Sequence, residues 1–369
     1  MKVLLTGAGG FIGRNFFQRA QSENDIEILA YHHHHGMDKL RELVQSCEAV
    51  VHLAGVNRPP TESGFVEGNV EFTNDLVTIL KNERKACPII FSSSRQAEID
   101  NPYGCSKRQA EDSLIQYAEV CQAQLYIYRL PNVFGKWARP EYNSVVATFC
   151  HHLARHEPIH VATQERVLEL AYIDDVVSEF LAALHGNAHR DGAFYKVPIT
   201  YECSVGQLAR LLQDFGDCRQ NLGVPDMEEA LVKKLYSTYI SYLPPNGLSY
   251  ELFSHEDERG SFTEFMRTFG QGQFSVNVSK PHVRKGGHWH QSKHEKFLVV
   301  AGQGRIRLRQ VEESKIYSYT VSAEKLEVIE IPPGYTHDIE NLGETDMVTI
   351  MWANVNFDPA QPDTYRLEV

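Results

Sequence analysis

Two sets of residues in this chain have the types and spacing of reacting groups. Near the C-terminus, "GGHWHQSKHE" places His288, His290 and Glu295 in an H-x-H-x4-E spacing, and "PPGYTHDIEN" supplies His337 further on. Residues two apart on a strand point the same way, so the first two imidazoles can face one cavity. Three nitrogens and one carboxylate, with a coordination position left open, suit Zn2+, Fe2+, Mn2+ or Ni2+, and Zn2+ is the expectation. Near the N-terminus, "YGCSK" gives Tyr103 and Lys107 at Y-x-x-x-K, downstream of the triplet Ser92, Ser93 and Ser94. Four residues on a helix bring phenol and ammonium to one face. A tyrosine near pKa 10 is a poor acid–base group at neutral pH, and a nearby ammonium lowers that value. A serine hydroxyl then steadies the oxygen of a carbonyl being reduced.

These groups need elements to hold them. "TGAGGFIG" sets Gly7, Gly10 and Gly13 between a strand and a helix. Such a turn brings the helix start, Gly10 to Gly13 with Phe11 and Ile12, against a pyrophosphate. "HLAG" (52–55) follows the third strand and puts Leu53, Ala54 and Gly55 at the same dinucleotide. Many NAD enzymes end the second strand with an acid for the ribose hydroxyls. Here Leu29 to Gly36 contains none. Arg14, His32 and His33 offer donors instead, which suits the 2′-phosphate of NADPH.

The strands "KVLLTG", "IEILAY", "AVVHLAG", "PIIFSSS" and "LYIYRL" alternate with helical patterns, so residues 1–243 read as a doubly wound α/β Rossmann domain. Its substrate-binding part is expected at about 140–243, where the chain turns mostly helical. "LPPNG" (243–247) reads as the linker. From 244 to 369, seven strands with closely spaced turns predict an all-β barrel or jelly roll.

The chain has 369 residues and a net charge of −12, which favours more than one domain and argues against nucleic-acid binding. No apolar run is long enough to span a membrane. Seven cysteines without a C-x-x-C pair indicate reduced thiols in a cytoplasmic protein.

Residues 1 to about 240 resemble the extended short-chain dehydrogenase/reductase family, through the glycine turn, "SSS", Y-x-x-x-K, "GNV" (68–70), "RLPNVFG" (129–135) and "AYIDDVV" (171–177). The resemblance implies Ser94 as catalytic serine, with Ser92 and Ser93 as possible substitutes. It also implies Tyr103 as acid, Lys107 as its partner and as a cofactor ligand, Asn69 in the lysine-side relay, and Asn132 near a sugar nucleotide. Residues 245–369 resemble the cupin superfamily, with His282 and Leu326 where motif glycines are usual. His294 falls outside the motif and is expected at the surface or rim, while Lys296 and Tyr335 are expected in the cavity. "DERGSFTEF" (257–265) and "RKGGHWHQ" (284–291) are similar to segments of dTDP-4-keto-6-deoxysugar 3,5-epimerases, which implies Arg259 and Glu264 as substrate contacts.

The whole chain resembles the bifunctional reductase–cupin enzymes of capsular polysaccharide and O-antigen assembly. That implies C3 epimerisation of UDP-2-acetamido-2,6-dideoxy-L-arabino-4-hexulose in the cupin. Reduction of its C4 ketone by the front domain would then give UDP-2-acetamido-2,6-dideoxy-β-L-talose, on the route to N-acetyl-L-fucosamine. It also implies a homodimer. The alternatives are a single reductase whose cupin senses a ligand or dimerises, and a cupin acting as an Fe2+ oxygenase.

Overall fold

The computed structural model describes residues 1–369 except His33, 162–164, 221–222, 253, 258–259, 264–266, 269–272 and 356–359; of 253–275 only backbone is described. The expected substrate contacts Arg259 and Glu264, and the cofactor contact His33, lie outside the described residues.

Five strands form the core of the first sheet: β1 (Lys2–Thr6), β2 (Glu27–Tyr31), β3 (Ala49–His52), β4 (Ile89–Ser94) and β5 (Leu125–Leu130). They pair in parallel in the order β2-β1-β3-β4-β5, and Phe194–Tyr195 and Arg190–Asp191 extend the β5 edge. The runs of β1, β3, β4 and β5 are mostly buried, as strands covered on both faces must be, whereas β2 at the edge is mostly half-buried. The chain leaves β1 to one side for β2 and returns to the other side for β3. In open sheets, ligands settle at such a reversal, outside the carboxyl ends of the strands. The glycine turn after β1 and Leu53–Gly55 after β3 lie there.

The helix carrying Tyr103 starts earlier than its apolar pattern. It spans Pro102–Cys121, with Pro102 in its first turn and the Asn101 side chain accepting from the Gly104 amide at 2.8 Å. This is an ordinary N-cap with proline at the helix start. Tyr103 therefore sits in the first turn and Lys107 one turn later.

The C-terminal sequence forms two five-stranded antiparallel sheets, in agreement with the expected jelly roll. One runs Ser249–Glu251, Glu327–Ile331, Glu295–Ala301, Met347–Ala353, Gln273–Ser279. The other runs Ile316–Ser322, Gln303–Gln310, Tyr335–Asn341, Arg284–Trp289, Tyr365–Arg366.

By packing, the chain divides into Met1–Ser144 with Leu168–Cys203, and Val145–Val167 with Ser204–Val369. This division does not follow the change in sequence texture at 243. Within the second unit, the helix Ala230–Ser241 is held to the jelly roll by a buried polar cluster. His294 is fully buried, its ring 5.2 Å from Tyr236 and 5.3 Å from Trp352. It does face away from Glu295, as alternation requires, but towards packed aromatic rings and not towards the surface or rim. Among the described residues, no helix is long and apolar enough to cross a membrane.

Two candidate active sites

The first site is built on β1, β3, β4 and the helix Pro102–Cys121. Gly7 has φ +70°, and a Cβ there would lie 2.6 Å from the Ala54 nitrogen. A Cβ on Gly13 would lie 2.1 Å from the Gly7 carbonyl oxygen. Only glycine permits this approach of strand turn and helix. The helix Phe11–Ala20 begins behind Gly10 with no capping side chain and no acid in its first turn. Helix geometry leaves the first-turn N–H groups without intrahelical acceptors, which is how such a turn receives phosphate. The Arg14 guanidinium lies 5.3 Å from the centre of the Trp137 ring. After β2, the turn closes on itself, with the His32 amide donating to His35 Nδ1 at 3.2 Å and Tyr31 Oη donating to the His35 carbonyl at 2.8 Å.

The three serines separate cleanly. Ser93 donates to buried Glu111, which also receives the Arg129 guanidinium. Ser92 donates to the His52 carbonyl at 3.4 Å. Ser94 Oγ accepts from the Gln96 amide at 3.2 Å, and Ser94 alone of the triplet lies close enough to Tyr103 to act on its phenol. Lys107 is 4% exposed; its Nζ donates to the Ser92 carbonyl at 2.8 Å and lies 4.2 Å from the Phe91 ring centre. Burial pushes its pKa down to about 7, against the opposing carboxylate of Glu111. The expected lowering of Tyr103 by Lys107 is not what this geometry gives. Burial raises the phenol above its ordinary value and the nearby Ser94 opposes that, while Lys107 Nζ is turned towards the Ser92 carbonyl.

Asn69 is buried in a π-helical turn, Val66–Glu71. Its Oδ1 accepts from the Val56 amide at 2.7 Å, and its Nδ2 donates to the Val56 carbonyl and to Ser106 Oγ, both at 2.9 Å. A Cβ on Gly55 would lie 2.9 Å from Asn69 Oδ1 and 3.7 Å from Lys107 Nζ, so Gly55 lies between them. Asn132 is exposed and donates to the Glu169 carbonyl at 3.1 Å.

His52, which opens "HLAG", is a buried site residue that the apolar pattern of its strand does not mark. Its Nδ1 lies 2.7 Å from Thr6 Oγ1 and its Nε2 2.9 Å from Thr73 Oγ1. Thr73 donates to the Asn69 carbonyl at 2.6 Å, so it accepts from Nε2–H. Nδ1 then accepts from Thr6, whose oxygen receives the Ala54 amide at 3.3 Å. Burial, and then Lys107, push the His52 pKa down to about 3, so the ring is neutral. The available signal was a polar residue ending an otherwise apolar strand.

The second site joins the two sheets of the jelly roll. One ligand atom from each of His288, His290, Glu295 and His337 falls within 4.8 Å of the others. His288 and His337 face each other across paired strands, with ring centres 4.6 Å apart. A bulge at Gly286 and Gly287, with φ +116° and +66°, sets the angle of His288. His290 follows that strand, and Glu295 opens the next. Glu295 Oε2 lies 3.2 Å from His290 Nε2 and 3.3 Å from His337 Nε2. His337 is 1% exposed; its Nδ1 has no hydrogen-bond partner, and its Nε2 has the contact with Glu295 alone. Buried polar atoms are rarely left unpaired, and a metal ion is what this donor set fits.

The motif departures have different consequences. His282 adopts φ +61°, a conformation natural to glycine, whereas Leu326 is not among the residues of positive φ. Tyr335 shares a strand face with His337 two residues away, and burial pushes its phenol up to about 12. Lys296 is not brought to this cavity. It follows Glu295 on a strand and so points to the opposite face. There its Nζ, on a residue 3% exposed, meets Glu330 at 2.7 Å and Tyr250 Oη at 3.1 Å.

Residues 3–197 match the NAD dependent epimerase/dehydratase family, and residues 255–365 match the polysaccharide biosynthesis C-terminal domain. The chain is 43% identical over 369 residues to UDP-2-acetamido-2,6-beta-L-arabino-hexul-4-ose reductase of Pseudomonas aeruginosa, covering 100% of this chain and 99% of that protein. The crystal structure of the capsular polysaccharide assembling protein CapF from Staphylococcus aureus is similar over 100% of both chains, with 48% identity and a TM-score of 0.69. Spore coat polysaccharide biosynthesis protein SpsL of Bacillus subtilis is 30% identical over 129 residues, 32% of this chain and 84% of that protein. The chain belongs to the NAD dependent epimerase/dehydratase family and carries a polysaccharide biosynthesis C-terminal domain behind it.

Proposed function

We propose that the protein is a bifunctional nucleotide-sugar enzyme acting on UDP-2-acetamido-2,6-dideoxy-L-arabino-4-hexulose. In this reading the jelly roll inverts C3 and the Rossmann domain reduces the C4 ketone to UDP-2-acetamido-2,6-dideoxy-β-L-talose. The observation that carries it is one chain holding both the Ser94–Tyr103 pair with Lys107 and a four-residue imidazole–carboxylate cluster. The full-length likeness to a reductase of this 4-ketosugar supports the substrate.

In the reductase, Ser94 donates a hydrogen bond to the C4 oxygen and Tyr103 gives that oxygen its phenolic proton. NADPH supplies the hydride when bound. Lys107 holds the edge of the site against the Ser92 carbonyl, and Asn69 fixes Gly55–Val56 beside it. Arg14 and His32 favour NADPH over NAD because no acid closes β2. The helical segment within 140–243, with Asn132, is assigned to the sugar nucleotide.

In the epimerase, His288, His290, Glu295 and His337 would hold a divalent ion, with Zn2+ the best fit. A metal held there would supply Lewis acidity, the chemistry that makes a hydrogen beside a ketone more acidic. Tyr335, protonated at neutral pH, is suited to return a proton. We further take the enzyme to be a cytoplasmic homodimer; its seven cysteines are all free.

The test is deuterium uptake at C3 of the 4-ketosugar in D2O without NADPH. Exchange that His290→Ala abolishes, while NADPH oxidation persists, supports two sites. Absence of exchange in the intact protein refutes the epimerase.

A further inference from the structure

The Asp363 side chain accepts four hydrogen bonds from the loop that joins two of the candidate metal ligands. Its Oδ1 receives the Gln291 amide at 2.7 Å. Its Oδ2 receives the Ser292 amide at 2.8 Å, the Ser292 hydroxyl at 2.8 Å and the Lys293 amide at 2.7 Å. These three residues lie between His290 and Glu295. The main-chain carbonyl of the same Asp363 accepts from His290 Nδ1. A carbonyl can only accept, so Nδ1 carries the proton and Nε2 keeps its lone pair on the side of Glu295.

The residues that follow are tied down around the same centre. Tyr365 and Arg366 pair with Trp289 and His288, and the Trp289 and Tyr365 rings lie 5.2 Å apart. The Leu367 amide donates to the Gly287 carbonyl at 3.0 Å, at the bulge that aims His288. Thr336, next to His337, donates to the Leu367 carbonyl. Arg309 donates to the Glu368 carbonyl at 2.6 Å. Segment 363–368 therefore touches a neighbour of each histidine ligand, and Asp363 organises the turn that leads to Glu295.

We infer that Asp363 is a positioning residue of the metal centre and that segment 363–368 is a latch that holds its ligands in place. The inference rests on the metal reading above. Outer partners that orient ligands typically change metal affinity by about 10–100-fold when removed. Asp363→Ala leaves four donors of the 291–293 loop without their acceptor. Asp363→Asn keeps one carbonyl oxygen, so its effect is smaller.

The experiment uses the full-length protein loaded with Zn2+. Its affinity is measured by competition with a chromophoric chelator, and its release by stopped flow into excess chelator. The expected order of affinity is wild type, then Asp363→Asn, then Asp363→Ala, with a loss of about 10–100-fold in the last and faster release in both. Near-ultraviolet circular dichroism checks folding. Should Asp363→Ala not fold, Asp363→Asn and hydrogen exchange decide, with faster exchange at the 291–293 amides and faster Zn2+ release expected together. Wild-type affinity and release in a folded Asp363 variant would overturn the latch and leave the metal reading standing. A wild-type protein that binds no Zn2+ would overturn both.

Discussion

Replacing Lys107 by methionine should change how stability depends on pH. Burial lowers the ammonium from its ordinary 10.5 to about 7. At about 1.4 kcal/mol per pH unit, the difference corresponds to roughly 5 kcal/mol disfavouring the charged form in the folded chain. Between pH 7 and 10.5 the unfolded chain holds a proton on Lys107 that the folded chain has released. Unfolding therefore takes up a proton, and stability rises with pH across that window. Below pH 7 both states carry the ammonium, and the folded state bears the whole desolvation cost. Lys107→Met removes this contribution. It also removes the bond to the Ser92 carbonyl, a loss of about 1 kcal/mol that displaces the curve with little effect on its slope. The assay is urea unfolding of both proteins at pH 6.5 and pH 9, followed by a probe on the Rossmann domain. The wild type should gain about 2.5 kcal/mol more than the variant over that interval. Parallel pH dependences in the two proteins would refute the reasoning.

Ser94→Ala should lower kcat of NADPH-dependent reduction by about 100-fold or more. Ser92→Ala should lower it far less, since that hydroxyl is engaged by the His52 carbonyl. Gly13→Ala, whose Cβ would enter the Gly7 carbonyl, should abolish NADPH binding measured by fluorescence titration. His337→Ala should leave the protein unable to retain a divalent ion on gel filtration, measured by elemental analysis.

The legible parts of the sequence were those where one physical demand acts alone. The inner parallel strands of the front sheet are buried on both faces, so their apolar runs are unambiguous. The H-x-H-x4-E spacing marked three ligands, and "PPGYTHDIEN" supplied the fourth, because few patterns collect that donor set. Several strands fall outside the seven expected in the C-terminal region, and the two longest are Arg284–Trp289 and Tyr335–Asn341. They are the strands that carry His288 and His337. Ligands, a glycine bulge and charged partners replace the apolar alternation by which strands are recognised. His294 was legible in direction and not in burial, because its cover comes from Tyr236, far away in sequence. Lys296 was misread in direction: it was expected in the cavity, but its partner Glu330 arrives from a different strand on the opposite face. His52 was hidden for a related reason: its two partners, Thr6 and Thr73, come from separate elements.

The strand Glu295–Ala301 has duties on both sides. Glu295 faces three imidazoles, and Lys296 faces Glu330 in the buried cluster beside the helix Ala230–Ser241. A slip of one residue reverses every side chain. It would bring an ammonium among the histidines and put a second carboxylate against Glu330. Both errors are electrostatic and both are buried, so neither has a cheap relaxation. Folding fidelity at this strand is thus checked twice, once by each neighbour. Misregistered chains should be rejected during assembly and should not persist as inactive enzyme.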